Sequence, residues 1–163
     1  MKKKVIFTIG CPASGKTTWV KNYILNEYKG VNGSCVNINT DDIRMMLYQK
    51  AYEPKGEAFA WDVFNCILKE SLLSDNVDEI IISNTNLNFD KLRVLTNKIE
   101  FFNHDVEFEF KFFDVDLDEL LRRDAVREKP VGEDVIKSFH NKYEDTVLKI
   151  KQFFKLKKIE INT

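Results

Sequence analysis

The chain is short of the residues that mark several protein classes. Glycine occurs six times and proline three times in 163 residues, which excludes collagen-like and loop-dominated chains. Cysteine occurs three times, at Cys11, Cys35 and Cys66. The odd count and the spacings match neither a disulfide framework nor a metal pattern, and they point to a reducing compartment. No apolar run approaches the ~18 residues that a membrane-spanning helix needs, so no membrane partner is expected. A surplus of positive charge is also missing: 25 basic residues face 26 acidic ones, for a net charge of −1. Proteins that grip long duplex tracts are ordinarily basic, so nucleic-acid contact here would be local. His104 and His140 are lone histidines far apart in sequence and read as surface or satisfied residues.

What is present is an ordinary globular composition, 44% hydrophobic and 31% charged, with 13 phenylalanines to bury. The length suits a single domain over residues 1–163, with room for one lid. Residues 1–11 loosely imitate a lipoprotein export signal. Their apolar stretch, residues 5–9, is shorter than the ~7–15 residues of a signal core. The expectation is a cytoplasmic protein.

Short β-like runs alternate with helical periodicity. Strands are expected at residues 5–9, 34–38, 79–83 and 106–113, with a final edge strand at 156–161. The 106–113 run alternates Val106, Phe108, Phe110 and Phe112 with charged residues, which predicts a half-exposed strand serving either a core or an interface. Helices are expected at 16–29 (with Gly30 as its stop), 41–48, 57–73, 89–102, about 116–127 and 133–154. Asn88 suits an N-cap, and Asp116 to Glu119 resembles a capping box. Phe59, Trp61 and Phe64 suggest an aromatic face on the 57–73 helix. This order implies an α/β fold with a mostly parallel central sheet flanked by helices, and ligands at the C-terminal ends of its strands.

Gly10-Cys11-Pro12-Ala13-Ser14-Gly15-Lys16-Thr17 fits G-x-x-x-x-G-K-[ST] without a mismatch. It follows a strand and opens a helix, the context in which the motif holds phosphate. Its backbone N–H groups, continuing to Thr18, would cradle phosphates at a helix N-terminus. Lys16 would reach the β- and γ-phosphates of ATP, and Thr17 would offer its hydroxyl to Mg²⁺. Cys11 and Pro12 read as loop-shaping residues.

Two further clusters fall at strand ends. Asp41 is placed to orient an alcohol and accept its proton, or with Asp42 merely to open a helix. Arg44, three residues on, either clamps an acceptor phosphate or neutralises Asp41. Asn84, Thr85 and Asn86 form a polar cluster where many phosphate-loop enzymes carry an acid; Asn84 serves either the ligand or a turn. Arg122, Arg123 and Arg127 precede Pro130 and a long helix, which suggests a lid over residues 122–132. Arg123 and Arg127 at i,i+4 would face one ligand. A solvated face paired with Asp118, Glu119 and Asp124 is the simpler alternative. Asp114, Asp116 and Asp118 are explained by a strand end and a helix start.

The segments GCPASGKTTW, NINTDDIR, IISNTNLN and FDVDLDELLRRDAVREKPVGEDVI follow in that order. From about residue 2 to about 143 the chain closely resembles the kinase domain of the bacteriophage polynucleotide kinase-phosphatase family. That resemblance implies a phosphate-loop kinase fold with an Arg-bearing lid, moving the γ-phosphate of ATP to a 5′-hydroxyl end of RNA or DNA. It implies Lys16 and Thr17 on phosphate and Mg²⁺ and Asp41 as general base. It also implies Arg44 on the acceptor and its 3′-side phosphate, and Arg123 and Arg127 as lid arginines with Arg127 catalytic. The 84–86 cluster falls in its acceptor-binding set. Asn84 stands where the family has an acid, and Thr40 where a basic residue is familiar. A counterpart of the family's C-terminal 3′-phosphatase domain is not expected in this chain. The alternatives are a small-metabolite or nucleotide-sugar kinase, and a nucleotide-dependent binding protein without transfer.

Overall fold

Consecutive apolar residues at 5–7 and 80–82 leave no face of either strand for water, and such strands belong in the middle of a parallel sheet. The structure, a computed structural model, describes residues 2–28, 34–154 and 160–161. The strands are β1 (Lys3–Gly10), β2 (Cys35–Ile38), β3 (Glu79–Ile82) and β4 (Val106–Phe113). They form a parallel sheet in the order β2-β3-β1-β4, and the two-residue β5 (Glu160–Ile161) pairs parallel with β4. The helices are α1 (Lys16–Glu27), α2 (Thr40–Tyr48), α3 (Glu57–Leu73), α4 (Phe89–Phe102), α5 (Leu117–Ala125) and α6 (Glu133–Phe154).

The pleat divides the core in two. Val5, Phe7, Ile9, Ile80, Ile82, Phe110 and Phe112 pack against Phe64, Leu68 and Leu72 of α3, Leu92 and Ile99 of α4, and Ile136 and Ile150 of α6. Ile6 and Ile81 point the other way, onto Val20 of α1, with Trp19, Tyr23 and Ile24 around it. The α/β expectation therefore holds, with helices on both faces. Because the strands are parallel, Gly10, Ile38, Ile82 and Phe113 all end at one edge.

Four local expectations are corrected. β4 is partly open only over its first four residues: Phe110, Lys111, Phe112 and Phe113 are all buried, and Lys111 lies over the Trp19 ring at 5.4 Å. The Phe110 ring stacks on Phe7 at 5.5 Å and meets Phe154 at 4.7 Å, so these phenylalanines serve the core. On α3 the buried stripe is Ala60, Phe64, Leu68 and Leu72. Phe59 is exposed because it lies about 200° around the helix from Trp61 and Ala60–Phe64 define the inner face. The capping box on α5 does not form: Asp116 makes no side-chain cap, and Glu119 is drawn to Arg122 and Arg123. That helix also ends at Ala125, two residues short of the expected boundary.

Asn88 does cap α4, accepting from Lys91 N at 3.0 Å, and α6 keeps its expected bounds. Gly30 and residues 156–159 of the expected last strand lie outside the described residues. All three cysteines are free. Among the described residues no helix is long and apolar enough to cross a membrane, and no His/Cys/Asp/Glu cluster could by itself hold a metal.

Candidate active site

The loop after β1 is shaped by its backbone. Ala13 and Gly15 take positive φ, 65° and 96°, which turns the chain tightly around residues 11–15. Gly10 has no space for a side chain: a Cβ there would lie 2.7 Å from Ser14 Oγ and 2.8 Å from Phe113 Cβ. Gly10 N donates to Thr85 O at 3.1 Å, so β3's exit anchors the loop's entry. Gly15 occupies the N-cap of α1, where no side chain can cap, and the first turn holds no acid. The orphan N–H donors of that turn are thus left to a ligand, and Thr17 and Thr18 are exposed beside them. α2 and α4 contrast with it, since both are capped by an asparagine.

Lys16 is buried beneath this loop. Its Nζ donates to Gly10 O at 2.9 Å, to Cys11 O at 2.5 Å and to Ser14 Oγ at 3.4 Å. Burial lowers its pKa to about 8; the Asp41 carboxylate favours the charge, and the Arg127 guanidinium opposes it. Residues from α2 and from the 126–132 connection therefore act on the same ammonium. Burial pushes the Cys11 thiol up to about 11, so it stays protonated at neutral pH, as a loop-shaping residue should.

The acceptor-side cluster is built from side chains. Asn39 Oδ1 caps α2 by accepting from Asp41 N at 2.7 Å and Asp42 N at 3.4 Å, while its Nδ2 donates to Ser83 O at 3.0 Å. Asn84 Oδ1 accepts from both Thr40 N and Thr40 Oγ1, at 2.9 and 3.0 Å. The two departures from the resembled pattern, at 40 and 84, thus pair with each other as neutral partners. Asp41 is open to solvent, whereas Arg44 is largely covered. Arg44 Nη1 donates to Asp41 Oδ1 at 2.7 Å, and its Nε and Nη2 make a bidentate pair with Glu57 at 2.8 and 2.5 Å. Trp61 Nε1 holds Glu57 from behind at 3.1 Å. The Arg44 guanidinium keeps the Glu57 carboxyl below the usual carboxylate range.

Sequence reading missed Glu57. It lies 13 residues from Arg44 on another helix, and the only available signal was a buried-arginine charge that Asp41 alone does not balance. Thr85 and Asn86 play scaffolding parts here. Thr85 offers its carbonyl to Gly10, and Asn86 (φ 52°) donates its amide to Thr8 O at 2.8 Å, Ile82 O at 3.0 Å and Asn84 O at 3.2 Å.

The arginines of α5 divide. Arg122 and Arg123 share Glu119, with contacts of 2.7 and 2.8 Å from Arg122 and 2.7 Å from Arg123, and they hold its carboxyl down to about 2. Arg122 is exposed. Arg123 approaches the phosphate loop: a Cβ on Gly15 would stand 4.0 Å from its Nη1. Arg127 Nη1 pairs with Asp124 Oδ1 at 3.3 Å. The shared helical face expected for Arg123 and Arg127 does not exist, because the helix stops between them. Both still act on the phosphate loop, one by proximity to Gly15 and the other through its field at Lys16.

A family model described as an AAA domain, AAA_33, matches residues 5–146. Among solved structures, a chain of the Pnkp1/Rnl/Hen1 RNA repair complex is similar at a TM-score of 0.70 and 23% identity, over 91% of this chain and 46% of that one. A chain from another Pnkp1/Rnl/Hen1 complex structure is similar at 0.57 and 27% identity, over 75% of this chain and 39% of that one. A chain of the PezAT chromosomal toxin-antitoxin system of Streptococcus pneumoniae is similar at 0.69 and 17% identity, over 99% and 67%. This chain spans less than half the length of the first two. Matched over most of its length, with the phosphate loop and parallel sheet in place, the chain belongs to the AAA_33 family and has a P-loop kinase fold.

Proposed function

We propose that the protein transfers the γ-phosphate of ATP to the 5′-hydroxyl end of RNA or DNA. The observation that carries this reading is that the uncapped phosphate loop with Lys16 and the Asp41–Arg44 pair stand at one edge of the parallel sheet, after β1 and β2. A donor phosphate held by Lys16 would stand within the field of a carboxylate suited to an alcohol, Asp41, and of a guanidinium suited to phosphoryl charge, Arg127.

The residues present fit the nucleotide and its metal. Residues 10–18 would hold the phosphates through uncapped N–H groups and Lys16, and Thr17 would supply a hydroxyl to Mg²⁺. When bound, Mg²⁺ neutralises phosphate charge. Lys16 exchanges its bonds to the Gly10 and Cys11 carbonyls for phosphate oxygens. Asp41 orients the acceptor hydroxyl and takes its proton as the oxygen–phosphorus bond forms and ADP departs. Arg44, fixed by Glu57, faces the acceptor's phosphate. Arg123 and Arg127 stabilise the group in flight, so that residues 122–132 work as a lid.

The acceptor contacts are local, as the charge balance requires. Lys91 lies close enough to Glu57 to lower its pKa and extends the positive mouth, whereas Arg93 is turned onto the Phe153 ring at 4.8 Å. The RNA repair complexes among the structural neighbours support a nucleic-acid acceptor. The test is label from γ-labelled ATP on a short 5′-hydroxyl oligonucleotide, with the 5′-phosphorylated oligonucleotide and a nucleotide sugar beside it. Label on the hydroxyl end alone supports the reading; label on the sugar instead replaces it with a small-molecule kinase; ATP binding with no label anywhere replaces it with a nucleotide-gated binding protein.

A further inference from the structure

Asp124 is buried, yet it lies at the end of α5 where every following residue through Val135 is exposed. A buried carboxylate is costly unless its oxygens are satisfied. Here both are. Oδ1 accepts from Val131 N at 3.1 Å and from Arg127 Nη1 at 3.3 Å, and Oδ2 accepts from Gly132 N at 2.9 Å. Those backbone donors, aided by Arg127, hold the carboxyl below its usual range despite the burial. Gly132, at φ 99°, turns the chain so that its carbonyl accepts from Ile136 N at 3.1 Å and starts α6.

One carboxylate therefore ties together both ends of the connection between α5 and α6. Among the described residues, the hydrogen bonds leaving residues 126–132 run to Asp124, apart from the Gly132 carbonyl at the start of α6. No buried side chain anchors the connection. Arg127 sits within this closed loop: its own N–H donates to the Asp124 carbonyl at 3.1 Å, while its guanidinium and the far end of the loop are held by the Asp124 carboxylate.

We propose that Asp124 is a positioning residue that sets Arg127 over the phosphate loop by closing residues 125–132 into a ring. This rests on the role given to Arg127 under the proposed function. Asp124 touches neither nucleotide nor acceptor; it acts through Arg127. An asparagine of the same shape would turn an NH₂ toward one of the two backbone N–H donors and open the ring.

The test compares Asp124→Asn, Arg127→Ala and the double variant. One readout is affinity for Mg·ADP with aluminium fluoride, which mimics the phosphoryl group in flight and needs no acceptor; the other is affinity for Mg·ATP. Asp124→Asn should weaken the mimic about tenfold or more while changing ATP affinity far less. In the Arg127→Ala background it should add almost nothing, because the two residues act as one unit. Amide exchange at Val131 and Gly132 should be slow in the wild type and fast in Asp124→Asn. Val131→Pro, which deletes one donor at an exposed position and leaves Asp124 intact, should reproduce a weaker version of the loss, with thermal melting confirming that each variant folds. Equal losses of ATP and mimic, full additivity with Arg127→Ala, or unchanged exchange would overturn the proposal. Because these readouts need no acceptor, the wild type failing to phosphorylate an oligonucleotide would sink the proposed acceptor and leave this result standing.

Discussion

The two sides of the mouth are made of different material. The donor side is backbone: positive φ at Ala13 and Gly15, an uncapped helix start and one buried lysine. The acceptor side is a chain of side chains from three segments, running Asn84–Thr40–Arg44–Glu57–Trp61 with Asp41 at its open end. Phosphate is common to every nucleotide, so fixed N–H donors suffice for it. Under the proposed function an acceptor must be selected, and exchangeable side chains suit that task.

Breaking the donor side should have the largest effect. Lys16→Ala should cost ATP affinity on the order of a hundredfold and abolish transfer, measured by nucleotide titration and label transfer. Breaking the acceptor side should separate the two quantities. Asp41→Asn should lower kcat by roughly 10²–10⁴ and leave ATP affinity largely intact; a variant with full kcat would remove Asp41 from the role of base. Glu57→Gln comes next: it releases Arg44, so the KM for the oligonucleotide should rise by about tenfold while the KM for ATP stays put.

The smallest effect is one of pH and belongs to the donor side alone. Lys16 titrates near 8 in the folded protein against 10.5 when unperturbed, so the charged form that binds phosphate fades above about pH 8. ATP affinity should fall through pH 8–9.5 with proton uptake on binding, seen by calorimetry in two buffers of different ionisation enthalpy. The same shift means the unfolded chain holds more protons between about 8 and 10.5, so this group's contribution to stability rises with pH across that window. Lys16→Ala should flatten both trends.

The same contrast governs what the amino-acid order revealed. The phosphate loop is contiguous, so eight neighbouring residues announce it. The parallel sheet was readable from its doubly buried strands, α4 from its Asn88 cap, and α6 with the bounds it takes. Glu57 was not readable as an anchor, because its partner Arg44 lies on another helix; Asp124 was readable only as an ion-pair partner of the arginines, because its backbone donors at 131 and 132 depend on the turn at Gly132. β4 misled because Lys111 reads as an exposed residue, yet its stem is buried and its ammonium lies over Trp19. The capping box misled because Glu119 had two arginines within one helical turn.

The most direct single test of the account is label transfer from γ-labelled ATP to a 5′-hydroxyl oligonucleotide by the wild type and by Asp41→Asn, with ATP affinity measured on both. The account predicts labelled 5′ ends with the wild type, almost none with the variant, and matched ATP affinities. Unlabelled ends with a wild type that binds ATP, or undiminished transfer by Asp41→Asn, would contradict it.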